Sequence, residues 1–151
     1  MTNRPPHTVR KSVLVPYSAE RMYTLVDRVE DYPKFLPWCG GTEVQRHDDG
    51  TVTATVRIDY HGVKQHFTTH NTQVPDESIA MDLREGPFSH LRGEWQFTAL
   101  REDACKVEFF LEYRFAGGLL GRVLEPVFDR IARSFVEAFV RRAEHLHAME
   151  G

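Results

Sequence analysis

Paired histidines are the first residues in this sequence whose type and spacing could do chemistry. The motif HFTTH, His66 to His70, places two histidines four residues apart, which is the spacing of a zinc-protease helix. It lacks the glutamate base of that motif, and its aromatic and β-branched centre favours a strand. A strand holds two such imidazoles about 13 Å apart, too far for one metal ion. The spacing therefore predicts no metal site here.

The other candidate catalytic groups fail on the same kind of geometry. His145 and His147 stand two apart on a predicted helix and point to nearly opposite sides. Ser89 and His90 are neighbours in an extended segment, where adjacent side chains point apart. There is no glycine-rich phosphate loop ending in lysine, no GxSxG elbow and no GxGxxG motif. Most carboxylates fall on outward strand positions, as on a solvated sheet face: Asp59, Glu94, Glu108 and Glu112. We expect no enzymatic activity and no catalytic residue.

Length and charge limit the remaining possibilities. A chain of 151 residues suits one domain. With 19 basic against 22 acidic residues and a net charge of −3, it is not a dedicated electrostatic wrapper of nucleic acid, although a local basic patch stays open. No signal peptide or long apolar run is present, so we expect a cytoplasmic protein whose cysteines, Cys39 and Cys105, stay reduced.

Periodicity predicts one continuous domain, residues 8–148, between a flexible N-terminus (1–7) and a short tail (149–151). Thr8 to Val15 reads as a strand, and Ser18 suits the N-cap of the first of two short helices. The second ends where Pro37 forbids continuation. From Thr42 to Ala116 the period is two, with a hairpin signal at Asp48, Asp49 and Gly50. We expect an antiparallel meander with one apolar face.

A long C-terminal helix is expected to cover that face. Apolar residues recur every three or four positions from about Leu119 to Ala148, in a stripe that includes Leu120. Pro126 either opens the main helix after the glycines at 117, 118 and 121 or kinks a longer one. The predicted fold class is α+β, a curved antiparallel sheet wrapped around one long helix, with two short helices after the first strand.

Aromatic residues are abundant, with ten Phe, five Tyr and two Trp, and they admit two interpretations. They fill the core between helix and sheet, or they line a cavity where the two surfaces diverge. Thr69 and Asn71 share the inward parity of Phe67, and a few polar groups in an apolar cavity are typical of a small-molecule site. We expect a gap between the facing rings.

Four segments carry a family resemblance over about residues 8–148. They are VEDYPKFLPWC (Val29 to Cys39), FTTHN (Phe67 to Asn71), GPF (Gly86 to Phe88) and the terminal FVEAFVRRAEHLH. The sequence resembles the coenzyme Q-binding, polyketide cyclase-like branch of the START superfamily, whose helix-grip fold agrees with the periodicity. At the position of His70, family members often carry Arg.

The resemblance implies non-catalytic binding of a hydrophobic ligand, most favourably ubiquinone or another prenyl lipid, in support of respiration. It implies no covalently bound cofactor and permits transient contact with the inner membrane. Thr69, Asn71 or Tyr113 would orient the quinone oxygens, and Tyr32, Pro33, Phe35, Pro37 and Trp38 form either an apolar lip at the cavity or plain packing. The expected cavity residues are Tyr32, Phe35, Trp38, Val56, Ile58, Phe67, Thr69, Asn71, Met81, Leu83, Phe88, Trp95, Phe109, Leu111, Tyr113, Phe128, Ile131, Phe135 and Phe139.

Bacterial members of the same family are ribosome-association toxins, which supplies the alternative function. Such a protein binds the large ribosomal subunit and blocks subunit joining. Arg133, Arg141 and Arg142 are the main candidates for a ribosome-facing surface, with Arg4, Arg10 and Lys11 as further basic residues. From Gly121 onward five arginines balance five acidic residues, so an exposed helix with ion pairs explains the pattern equally well. A cyclase or hydrolase activity, known in distant relatives, ranks third.

Overall fold

The fold is that of a curved seven-stranded antiparallel sheet and one long helix, as predicted. The structure, a computed structural model, describes residues 6–150. Most of the expected flexible N-terminus, including Arg4, and Gly151 of the expected tail lie outside this range. Within it, the first strand already includes His7 and the last helix runs to Glu150.

The sheet is a meander whose last strand pairs with its first. The strands are β1 (His7–Val15), β2 (Cys39–Arg46), β3 (Val52–Tyr60), β4 (Val63–Val74), β5 (Ser78–Glu85), β6 (Phe88–Arg101) and β7 (Ala104–Phe115). Their spatial order is β1-β7-β6-β5-β4-β3-β2, so β1 and β2 are the edges. The two helices that follow β1 carry the chain from one edge of the sheet to the other.

Local residue chemistry places the turns and the first helix. The Ser18 hydroxyl accepts a hydrogen bond of 3.1 Å from the Arg21 backbone N–H and caps helix α1 (Ala19–Asp27), as predicted. The predicted hairpin at Asp48 to Gly50 joins β2 to β3, and the Asp49 carboxylate accepts from the Thr51 backbone N–H at 2.9 Å. The second short helix is a 3₁₀ helix, Val29–Lys34, which buries its Tyr32 side chain.

Helix α2 (Gly118–Glu150) covers the apolar face of the sheet. Its buried positions include Leu124, Phe128, Ile131 and Phe139, so the predicted stripe is confirmed there. Leu120, which the same spacing assigns to the stripe, is 49% exposed, because Gly121 rather than Leu120 packs against the sheet at this level, beside Phe115. Pro126 lies inside the helix rather than at its start, which leaves the Arg122 carbonyl without its usual intrahelical N–H donor.

Candidate functional site

The inner surfaces of the sheet and α2 meet in two aromatic clusters. In the first, Phe135 of α2 approaches Trp95 and Phe109 with ring centroids 5.7 Å away in both cases. In the second, the Phe128 ring lies 5.0 Å from Phe88 and 4.8 Å from Tyr113. These separations fall within the range of favourable ring contacts, so most facing rings touch rather than stand apart.

A cavity of about 80 Å³ remains, lined by members of both clusters. The expected gap therefore exists but is small. Twelve of the expected residues line it: Tyr32, Trp38, Val56, Phe67, Thr69, Asn71, Met81, Phe109, Leu111, Phe128, Ile131 and Phe135. Apolar side chains make up most of the wall, which is the composition of a site for a hydrophobic small molecule.

Seven expected residues lie outside the cavity lining and make other contacts. Phe35, Trp95 and Phe139 sit within the first aromatic cluster. Ile58 and Phe88 line a second, smaller apolar crevice under the first half of α2. Leu83 pairs across strands with Thr69 but is not part of the wall. The Tyr113 hydroxyl donates to the Asp129 carboxylate at 3.3 Å, outside the cavity.

The remainder of the wall was not anticipated from the sequence. Val26, Asp27 and Val29 reach it from the end of α1 and the start of the 3₁₀ helix, and the others are Ala54, Gln73, Ile79, Leu91 and Ala132. Gln73 and Ile79 have the inward parity of the residues that were assigned to the cavity. That signal was present in the alternation and could have found them. Nothing in the alternation pointed to Asp27.

One side of the cavity is polar. Thr69 and Asn71 are 4% and 5% exposed, and the Thr69 hydroxyl donates to Asn71 Oδ1 at 2.7 Å. Strands β4 and β5 contain a bulge at this level, because Thr68 pairs with Glu85 while Thr69 pairs with Leu83. The extra residue, Arg84, belongs to β5, so β4 keeps its own alternation and the predicted inward placement of both residues is confirmed.

A cluster of polar contacts joins the cavity wall at Gln73 to the end of α1. Asp27 Oδ1 accepts from Gln73 Nε2 at 2.5 Å and from Arg46 Nη1 at 3.1 Å, and a second Arg46 nitrogen donates to Glu30 at 2.9 Å. The Tyr32 hydroxyl, 2.5 Å from the Val26 carbonyl, ties the 3₁₀ helix to α1. Burial, followed by the nearby Asp27 charge, raises the pKa of Tyr32 well above its ordinary value, so it stays a neutral donor.

The expected lip is only partly built as the sequence suggested. Tyr32 and Trp38 are buried and line the cavity, whereas Pro33 and Pro37 are exposed. Phe35 packs edge-on against Tyr32 and Phe139. Of the five residues, two line the cavity, one packs against the core and the two prolines are exposed.

Histidines and cysteines play no part in this cavity. His47 and His70 lie together on the outer face of the sheet, with ring centroids 6.2 Å apart. Among residues 6–150 no group of three or more His, Cys, Asp or Glu side chains is arranged to hold a metal ion. Both thiols, Cys39 and Cys105, are free and buried, and burial raises the pKa of each.

The family model for "Polyketide cyclase / dehydrase and lipid transport" matches residues 15–140. The chain belongs to this family. The match confirms the resemblance read from the sequence, and it spans the cavity from the end of β1 to α2.

Relatives of known name fall into two groups. The persistence and stress-resistance toxin PasT of Escherichia coli is 41% identical over 93% of this chain and 89% of its own. The ribosome association toxin RatA of Pseudomonas aeruginosa is 40% identical over 92% of this chain and 96% of its own. A mitochondrial coenzyme Q-binding protein COQ10 homolog B of Xenopus laevis is 24% identical over 93% of this chain and 59% of its own.

Solved structures share the fold. The Zhui aromatase/cyclase from a Streptomyces species superposes with a TM-score of 0.79 at 19% identity, covering 92% of this chain and 94% of that one. An 18 kDa protein from Caulobacter crescentus gives a TM-score of 0.72 at 33% identity over 94% of this chain and 99% of that one. Within residues 6–150, neither α-helix is long and apolar enough to cross a membrane.

Proposed function

We propose that this protein binds a hydrophobic small molecule in the cavity between the sheet and α2, without catalysing a reaction on it. The observation that carries the proposal is the cavity wall itself, which is apolar on nearly all sides and polar along β4. A prenylated quinone such as ubiquinone is the favoured ligand, because a relative named as a coenzyme Q-binding protein is 24% identical over 93% of this chain. Support of respiration, with the protein in the cytoplasm or peripheral at the inner membrane, belongs to this proposal.

The cavity must widen when such a ligand enters. Its volume of about 80 Å³ is well below the roughly 300 Å³ at which small-molecule sites begin. Like α2, the α1 and 3₁₀ segment lies outside the strand pairing, and its hydrogen bonds to the sheet at this cavity are side-chain ones through Asp27, Arg46 and Gln73. Movement of that segment would enlarge the cavity without disturbing the strand pairing.

Affinity would come from apolar burial. Each buried CH₂ of a prenyl tail contributes about 0.8 kcal/mol, so a few isoprene units supply useful binding without any charged group. The acidic side chains on the outer sheet face take no part.

Filling the cavity tests the proposal. Ala132 is 2% exposed and lines the wall, so Ala132→Leu places a larger side chain in the space that the ligand needs. We expect ubiquinone affinity to fall about tenfold or more, while stability is held or raised because the substitution fills a cavity. Ala148→Leu, at an exposed position of the same helix, is the matched control and should bind as wild type. Unchanged binding by Ala132→Leu would contradict the proposal.

A second function, association with the large ribosomal subunit, is supported by the names of relatives at about 40% identity over nearly the whole chain. In the structure, two of the three arginines expected on the ribosome-facing surface already have partners within the chain. Arg133 pairs with Asp129 at 3.0 Å, and the Arg142 guanidinium lies over the Phe35 ring at 5.3 Å. Arg141 is exposed and has no carboxylate within salt-bridge distance among residues 6–150.

Arg130 adds a further exposed cation to that surface. Arg141 lies eleven positions further along the helix. That spacing is close to three full helical turns, so both side chains project from one face of α2. We expect co-sedimentation with large subunits to weaken as salt rises and to be lost when both become Glu. The control is Arg84→Glu with Arg101→Glu, an equal charge change elsewhere on the surface. Equal loss in both double variants would point to net charge rather than to this face.

A further inference from the structure

Three alternating residues of β4 form a polar strip on the inner face of the sheet. Thr69, Asn71 and Gln73 all line the cavity, and Asp27 meets the strip at Gln73. Because inward positions of a strand recur about every 6.6 Å, the strip extends about 13 Å from Thr69 to Gln73. We call these four residues the polar seam.

The hydrogen bonds within the polar seam leave donors and acceptors over at Asn71, Gln73 and Asp27. Thr69 donates to Asn71 Oδ1, and Gln73 donates to Asp27 Oδ1, which also receives Arg46. Asn71 Nδ2, Gln73 Oε1 and Asp27 Oδ2 make no hydrogen bond with any other side chain or backbone group in residues 6–150, and Gln73 Nε2 keeps one free hydrogen. Asn71 and Asp27 both line the cavity, so these groups are available to a ligand or to water there.

The groups left at Asn71 and at Asp27 differ in what they can bind. An amide nitrogen donates, so it suits a carbonyl or hydroxyl oxygen on the ligand. An ionised carboxylate only accepts, so it attracts a hydroxyl and repels a carbonyl oxygen. Because the charged carboxylate is a stronger hydrogen-bond partner than the remaining neutral N–H of Gln73, the seam favours a ligand that has a hydroxyl at the Asp27 end over one that carries only carbonyl oxygens.

We infer that the polar seam selects a hydroxylated aromatic ligand, with an oxygen acceptor at Asn71 and a hydroxyl donor at Asp27. On this basis a hydroquinone binds in preference to the fully oxidised quinone. The inference rests on the proposed ligand-binding function and adds the oxidation state and polarity of the ligand to it.

The test compares the two redox forms of one short-chain ubiquinone under anaerobic conditions. Calorimetric titration of the full chain should show the quinol binding about tenfold more tightly than the quinone, as expected for a hydrogen bond to a charged acceptor. In Asp27→Asn the preference should disappear, because the amide can donate to a carbonyl oxygen. Glu30→Gln removes the other carboxylate that binds Arg46 but lies outside the cavity wall, so it should keep the preference.

Asn71→Leu provides a second variant that is independent of the charged cluster. It should weaken both redox forms, while leaving the affinity for the same prenyl chain on an oxygen-free benzene ring unchanged. Equal binding of quinol and quinone by the wild type, with the oxygen-free analogue also bound, would overturn the inference and leave the hydrophobic site intact. If none of the three probes binds, the proposed function fails and the inference with it.

Discussion

Truncation of Phe128 gives the sharpest stability test of the site. Phe128 is 5% exposed, lines the cavity, and contacts four aromatic rings, those of Phe67, Phe88, Tyr113 and Phe115. Phe128→Ala removes the ring from between the sheet and α2 at a point where the strands cannot collapse inward. The cost should lie in the upper part of the range for a buried Phe, about 4 kcal/mol of unfolding free energy.

Urea unfolding followed by circular dichroism measures this cost. A ligand present at 100 times its dissociation constant should raise the unfolding free energy by about 2.7 kcal/mol, provided that it binds only the folded chain. Leu119→Ala is the control, because Leu119 lies on the same helix but is 78% exposed, and its cost should stay within about 0.5 kcal/mol. A loss below about 1 kcal/mol for Phe128→Ala would refute the packing of α2 against the sheet.

Three further predictions concern local features. Ser18→Ala should lower the unfolding free energy by about 1 kcal/mol in the same urea assay, because it removes the α1 cap, and Ser18→Asp should restore it. Burial, and next the charge of Asp27, raises the pKa of Tyr23 to about 12 from its ordinary value of 10, so the stability it contributes is complete below pH 10 and is lost as the pH rises through about 12. Tyr23→Phe should flatten that decline, and an identical pH profile would contradict it. Cys39 and Cys105 should react with a thiol reagent only after denaturant is added, since burial raises the pKa of both thiols; rapid reaction of the folded chain would argue against their placement.

Periodicity was sufficient to predict the architecture. Alternation placed Val56, Thr69 and Asn71 on the inner face, and the three- and four-residue spacing placed Phe128 and Ile131 opposite them. Each of these inferences needs only the repeat of a strand or a helix, which the chain itself carries. Turn and cap residues then set the boundaries at Ser18 and at the β2–β3 hairpin.

The position of a residue along the axis of the fold could not be obtained in this way. Trp95 has the inward strand parity and Phe139 the inward helical spacing, but both lie where sheet and helix touch, so they fill the core. Leu111, which has the same strand parity, lines the cavity instead. That difference depends on sheet curvature and on the crossing of α2, which are tertiary quantities.

The contribution of α1 was hidden for a related reason. Asp27 is the last residue of a short helix, and its link to Gln73 spans 46 residues of sequence. No local pattern marks such a contact. The same holds for Arg133 and Arg142, whose partners Asp129 and Phe35 decide how much free charge the surface of α2 presents.

Native mass spectrometry tests the central claim most directly. Protein purified without detergent from cells that make prenylated quinones should carry a bound molecule of a few hundred daltons that organic extraction removes. Ala132→Leu, purified in the same way, should carry much less of it, while Ala148→Leu should match the wild type. Consistently ligand-free wild-type protein under these conditions would contradict the claim that the cavity between the sheet and α2 is a binding site.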